Sequence, residues 1–208
     1  MPLQNRVTPF GELVAVAGRG LLTGNRGVLH DDMRRIVRPW QVRRWIACRT
    51  EFRGRHREIM QPRRWTELFF LDEATALAAG HRPCAQCRFA DYQHFRSLWE
   101  TCHGGPADAD SMDNALHAER LAGRQKRIYR AQIATLPDGA YLTLHGAARL
   151  VWRDELLAWS DTGYAECLPR PRTGTVDVLT PRSIVALLAA GYPVHVHPSA
   201  SHSRTFLR

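Results

Sequence analysis

The sequence is almost without lysine. Lys126 is the only one, and every other basic chain is arginine. Long apolar runs are also missing. The longest candidate, Ile184 to Gly191, falls far short of the roughly 18 residues of a membrane span, so no membrane partner is expected. Met1 to Phe10 lacks the apolar centre of a secretion signal, which leads us to expect a cytoplasmic protein. The glycines at 18, 20, 24 and 27 do not make a G-x-G-x-x-G fingerprint, so a dinucleotide fold is not indicated. Acids are few. Asp and Glu total 20 against 29 Lys and Arg, giving a net charge of +9 and a pI near 10.0. Cysteine is scarce and odd in number, at five. In a reducing compartment such a set points to metal binding rather than to disulfides.

What is present fits a globular chain. A length of 208 residues, 44% hydrophobic and 24% charged, can bury a core without crosslinks. The basic charge is clustered. Between Asp31 and Arg64 there are 11 arginines and only 4 acids, so most of the net charge lies in one sixth of the chain. Such clustering is the footprint of a phosphate-binding surface, though a solvated arginine face has the same composition. Trp40, Trp45 and Trp65 are interleaved with these arginines. Aromatics in that setting stack on bases or fill the core beneath the charge.

Three cysteines flank this basic stretch. Cys84 and Cys87 form a C-x-x-C pair, whose chain reversal lets two thiolates face one ion. Structural zinc takes four ligands, so two more are needed. Cys48 is the natural third, and His56, His81 and Cys102 compete for the fourth place. A second pattern uses the same residues: His56-Arg57-Glu58 followed by Pro83-Cys84-Ala85-Gln86-Cys87 satisfies the H-x-E…P-C-x-x-C spacing of zinc nucleobase deaminases. Met60-Gln61-Pro62 breaks the helix that such an H-x-E would open. A nuclease is the third class, with His30, Asp31, Asp32 and His56 as candidates, but no H-N-H or D…E-x-K frame holds them.

Local patterns give the elements. Glu12 to Ala17 and Val28-Leu29 read as strands around a turn at Gly24-Asn25-Arg26-Gly27. Glu67 to Leu71 reads as a strand, Asp72 as the N-cap of a helix over 73–79, and Gly80 as its stop. Phe89, Tyr92, Phe95, Trp99 and Cys102 recur at helical spacing. Ser111 is a candidate cap for the next helix. Beyond Ile128 the texture is β-like, with turns at Pro137-Asp138-Gly139 and His145-Gly146. Thr180-Pro181 opens a last helix that Gly191 ends, and the chain from Ser199 reads as a polar, loose tail. The expected architecture is α+β: a zinc-binding α/β domain over 1–125 and a β-rich domain over 126–208 with one or two helices.

The run Phe69-Phe70-Leu71-Asp72-Glu73-Ala74-Thr75-Ala76-Leu77-Ala78-Ala79-Gly80-His81-Arg82-Pro83-Cys84-Ala85-Gln86-Cys87 resembles the N-terminal metal-binding domain of the Ada alkylation-response proteins. Trp45-Ile46-Ala47-Cys48-Arg49 is similar to that family's first cysteine and the arginine after it. The resemblance covers roughly residues 40–90. It implies bound Zn2+, a DNA partner with RNA as the alternative, and a role in DNA repair in which Cys48 accepts a methyl group from a phosphotriester. It assigns Cys48, Cys84 and Cys87 to the metal with His56 as replacement fourth ligand. The family's second cysteine, four residues after the first, is Phe52 here. The arginines expected to meet phosphates are Arg49, Arg53, Arg55, Arg57 and Arg82.

Overall fold

The computed structural model describes residues 1–54 and 58–201. His56, Arg55 and Arg57 lie outside the described residues, as does the tail beyond 201. The fold is α+β, built on two six-stranded sheets.

The first sheet is made of short strands: β1 (Arg6–Val7), β2 (Leu13–Val14), β3 (Leu22–Asn25), β4 (Ile46–Arg49), β5 (Leu68–Phe70) and β6 (Arg82–Pro83). Their order is β2-β1-β5-β3-β4-β6. Strand β3 pairs antiparallel with both β4 and β5, whereas β4 and β6 run parallel. The expected strand at Val28-Leu29 is absent, and residues 22–25, read partly as a turn, are a central strand. Pairing on both edges overrides the turn chemistry of Gly24-Asn25.

Helix α1 (Glu73–Ala78) follows β5, and every residue in it is buried. Asp72 caps it as expected, its Oδ1 accepting from the Thr75 N–H at 2.9 Å. Half of the helix is alanine because packed layers press on it from several sides. Leu77 enters the largest apolar cluster, Ala74 and Ala78 the second, and Ala76 the third. Gly80 ends it at φ +91°, where a Cβ would stand 2.6 Å from the Arg120 side chain. Both the left-handed backbone and the space require glycine.

Two helices then cross to the other layer. These are α2 (Phe89–His103), burying Tyr92, Phe95 and Trp99, and α3 (Ala109–Arg120), burying Met112 and Leu116. Asp108, not Ser111, caps α3. Its Oδ1 accepts from the N–H of Asp110 and of Ser111 at 3.0 Å, and the Ser111 hydroxyl donates to its other oxygen. A two-stranded ribbon, β7 (Leu121–Ala122) with β8 (Gln125–Lys126), closes this segment.

The second sheet is wholly antiparallel. It contains β9 (Tyr129–Gln132), β10 (Tyr141–Leu144), β11 (Ala147–Trp152), β12 (Glu155–Ser160), β13 (Gly163–Pro169) and β14 (Thr175–Val178), in the order β13-β12-β11-β10-β14-β9. The β10–β11 turn has both His145 and Gly146 at positive φ, as a two-residue hairpin needs. Helix α4 (Arg182–Ala189) packs its apolar side on α2. The largest core draws Tyr92, Phe95, Trp99, Met112 and Leu116 from α2 and α3, and Leu142, Val151, Leu156 and Leu187 from the later half. The helices before residue 125 and the sheet after it thus share one core.

The tail is anchored up to residue 201. Asp72 accepts from the Tyr164 hydroxyl at 2.5 Å and the His197 N–H at 2.9 Å. Glu73 accepts from Arg88, the Tyr192 hydroxyl and the His195 N–H. Two buried acids at the start of α1 thus tie the irregular segment at His195 and His197 to the first half of the chain. Among the described residues no helix is long and apolar enough to cross a membrane.

Candidate metal centre

The parallel pairing of β4 and β6 builds the site. Its register sets Ala47 opposite Pro83, and the Cys84 N–H donates to the Ala47 carbonyl at 3.0 Å. Cys48, next along β4, is thereby brought to the C-x-x-C turn. The Sγ atoms of Cys48, Cys84 and Cys87 all lie within 4.8 Å of one another. Thiolates around zinc stand about 2.3 Å from the ion, so a cluster of this size needs only small shifts to close on one. Among the described residues no further His, Cys, Asp or Glu places a ligand atom in the group.

Backbone support is uneven. The Gln86 N–H donates to Cys84 Sγ and the Arg49 N–H to Cys87 Sγ, each at 3.4 Å. Among the described residues no backbone N–H is directed at Cys48 Sγ, whose partners are the other two thiols. Protonation reflects the crowding. Hydrogen bonds from Cys48 and Cys87 hold Cys84 well below the ordinary thiol range. Cys48 is raised, because it donates to Cys84 and Cys87 and is also buried. The bond from Cys48 lowers Cys87, but donation to Cys84 and burial leave it raised overall. The three thiols hydrogen-bond to one another, and ionising all of them together requires a cation among them. Soft sulfur donors select zinc, copper(I) or iron–sulfur centres, so the donor set fits the zinc the sequence pattern implies.

The other candidate ligands lie elsewhere. His81 is fully buried beside Trp45 and Phe70, and its Nε2 accepts from Arg26 Nε at 3.2 Å. Burial, with Arg26, Arg120 and Lys126 nearby, pushes its pKa far down. Cys102 packs against the main core, with its thiol toward the Ala186 carbonyl. His56 is outside the described residues.

A cleft of about 320 Å3 opens on the cysteines. Cys48, Cys84 and Cys87 line it together with Arg49, Phe52, Trp65 and Phe69. Phe52, at the position where the resembling family has cysteine, is thus an aromatic wall of the same space. A wider groove of about 800 Å3 adjoins it through the shared residues Asn25, Ile46, Trp65 and Glu67. Arg44, Arg63 and Arg64 line that groove, and all three are exposed. Sequence reasoning did not single them out, though the charge clustering contained them. Met60 and Arg63 hold positive φ, a strained backbone that fixes how this loop is presented. The Met60 N–H is held by Glu67 Oε2 at 2.8 Å.

The arginines expected at phosphates divide. Arg49 is exposed at the cleft, and Arg53 is exposed over the Phe52 ring. Arg82 is corrected: it is 1% exposed and bidentate to Asp113, at 2.9 and 2.7 Å, so it is a core ion pair. Its isolation in sequence from Asp113 hid that partner. Glu58 is exposed and paired with Arg34 at 2.9 Å, and residues 58–67 contain no helix. Asp31 accepts from the N–H groups of Met33 and Arg35, and His30 is buried against Thr66. These are loop-holding roles.

Comparison with family models, with curated proteins and with solved structures finds no match to this chain.

Proposed function

We propose that the protein is a zinc-containing DNA-binding protein of alkylation repair or response, in which Cys48 takes a methyl group from a phosphotriester. The observation that carries the reading is the asymmetry of the three cysteines. Cys84 and Cys87 each accept a backbone N–H, which draws electron density from sulfur, whereas among the described residues Cys48 accepts none. Cys48 is therefore the sulfur with most electron density to give. It lies on a cleft continuous with a groove lined by Arg44, Arg63 and Arg64.

Zinc, when bound, supplies the positive charge that keeps all three thiols ionised at neutral pH. The residues do the rest. Arg49, Arg63 and Arg64 attract the flanking phosphates, and Phe52 and Phe69 give the reacting methyl an apolar wall. The Cys48 sulfur pair then forms the S–C bond while the C–O bond breaks. Its electrons remain on the phosphate oxygen, restoring an ordinary phosphodiester. The product is a thioether at Cys48, so each molecule acts once.

The test is incubation with methylphosphotriester-bearing duplex DNA, followed by peptide mapping. One methyl on Cys48, and none in Cys48→Ser, is the expected result. Methylation that maps only to another residue, or none with zinc-loaded protein, removes the acceptor role.

A further inference from the structure

The far end of α1 carries a second, unrelated concentration of charge. Arg26, Arg120 and Lys126 meet there around Trp45. Both guanidinium carbons lie 3.9 Å from the Trp45 ring centroid. Arg26 is 1% exposed and Arg120 fully buried. Both are far from one another in sequence, so the fold has gathered them deliberately against their mutual repulsion.

Among the described residues none of the three is ion-paired to an acid, although Glu12 lies on the same pocket. Asp113, the nearest carboxylate acting on Arg120, is already bidentate to Arg82. Backbone carbonyls take part of the load: Gly11 accepts from Arg26 at 2.9 Å, Gly80 from Arg120 at 2.8 Å, and Ala78 from Lys126. Among the described residues two buried nitrogens of this group still have no acceptor, Arg26 Nη2 and Arg120 Nε, as does Nδ1 of the neighbouring His81, which lies off the pocket. An orphaned buried donor is costly, more so when charged, so the two on the neighbouring guanidinium groups ask for an absent acceptor. The cations also line a pocket of about 610 Å3. Arg38 and Arg124 stand exposed at its rim, and Trp40, Ile36 and Pro39 give it an apolar side.

We infer that this pocket binds a small organic phosphate, whose dianionic group is held by Arg26, Arg120 and Lys126 and whose organic part rests against Trp40. Guanidinium forks suit phosphate oxygens. Arg26, Arg38, Arg120, Arg124 and Lys126 outnumber the one acid on the pocket, Glu12, so a phosphate dianion balances the charge better than a single further carboxylate. The pocket is lined by none of the cysteines, so it is a separate site from the metal centre.

The experiment is calorimetric titration of the full, zinc-loaded chain with adenosine 5′-monophosphate and with inorganic phosphate, adenosine serving as the uncharged control. We expect saturable one-site binding of the nucleotide, weaker binding of inorganic phosphate and none of adenosine. Lys126→Gln should weaken nucleotide binding at least tenfold. Arg124→Gln, a surface change that leaves the core intact, should weaken it severalfold. The double variant Arg63→Gln, Arg64→Gln should leave it unchanged. Absence of saturable binding to either phosphate, or equal affinity in the wild type, Lys126→Gln and Arg124→Gln, overturns the inference. A loss that tracks Arg63 and Arg64 instead also overturns it, since the phosphate would then sit in the groove by the cysteines.

Discussion

The two ends of α1 carry opposite charges in opposite states. At its start, Asp72 and Glu73 are buried, and their oxygens accept from Tyr164, Tyr192, Arg88 and the N–H groups of His195 and His197. At its finish, Arg26, Arg120 and Lys126 are gathered with no ion-paired acid among the described residues, and guanidinium nitrogens are left over. Burial costs a charge several kcal/mol unless partners repay it. The two acids are fully partnered within the chain, with Arg88 Nη1 the one nitrogen beside them that lacks an acceptor among the described residues, and so they work as a weld between the two sheets. The basic end is repaid only in part, which marks it as a place where something else completes the set.

The largest effect should come from breaking the weld. Glu73→Ala leaves the Arg88 guanidinium, which is 4% exposed, with Asp91 as its one remaining acid and strips the Tyr192 hydroxyl and the His195 N–H of their acceptor, and should cost about 3 kcal/mol in a urea titration. A loss below about 1 kcal/mol would show that the acidic network is dispensable. Next is the metal. Cys84→Ser removes the sulfur that accepts from both others, and should abolish zinc retention and loosen amide protection in β4 and β6 while sparing the second sheet. Uniform loss of protection across both sheets would erase the distinction between them.

The basic end should respond in the opposite sense to the weld. Burial, and then Arg26 and Arg120, lower Lys126 from 10.5 to about 7 in the folded chain. Between those values the unfolded chain holds more protons, so stability should rise with pH, by up to about 1.4 kcal/mol per unit from this group. It should be lost again as pH falls toward 7. Lys126→Met should flatten that rise and be more stable than the wild type at pH 7 without ligand. A wild-type minus variant difference that does not change from pH 7 to 10 would contradict the buried cation. The smallest effect is at the groove. Arg63→Ala with Arg64→Ala should weaken duplex binding uniformly across sequences and reduce the salt slope by about 2, measured by fluorescence anisotropy. An unchanged slope would remove both from the phosphate contacts.

What was legible in the sequence was local. The C-x-x-C turn, the Asp72 cap, the Gly80 stop and the aromatic stripe of α2 each follow from residues within one or two turns of each other. The α+β class followed from their sum. Pairing was not legible. Cys48 reaches Cys84 only because β4 and β6 run side by side, a contact across more than thirty residues. Strands β12 and β13 mix buried and half-buried side chains without clean alternation, so no period marked them. Arginine was the most misleading letter. Arg26, Arg82, Arg88 and Arg120 are core residues, and what decides this is a partner such as Asp113 or Glu73, or a ring such as Trp45, set far along the chain.

The central claim is that Cys48, Cys84 and Cys87 hold one zinc between β4 and the C-x-x-C turn. Native mass spectrometry of the reduced chain, beside Cys48→Ser and Cys102→Ser, tests it most directly. One zinc per chain is expected in the wild type and in Cys102→Ser, with weakened or absent zinc in Cys48→Ser. A wild-type chain that holds no metal after zinc loading, or a Cys48→Ser chain that holds it as tightly as the wild type, would contradict it.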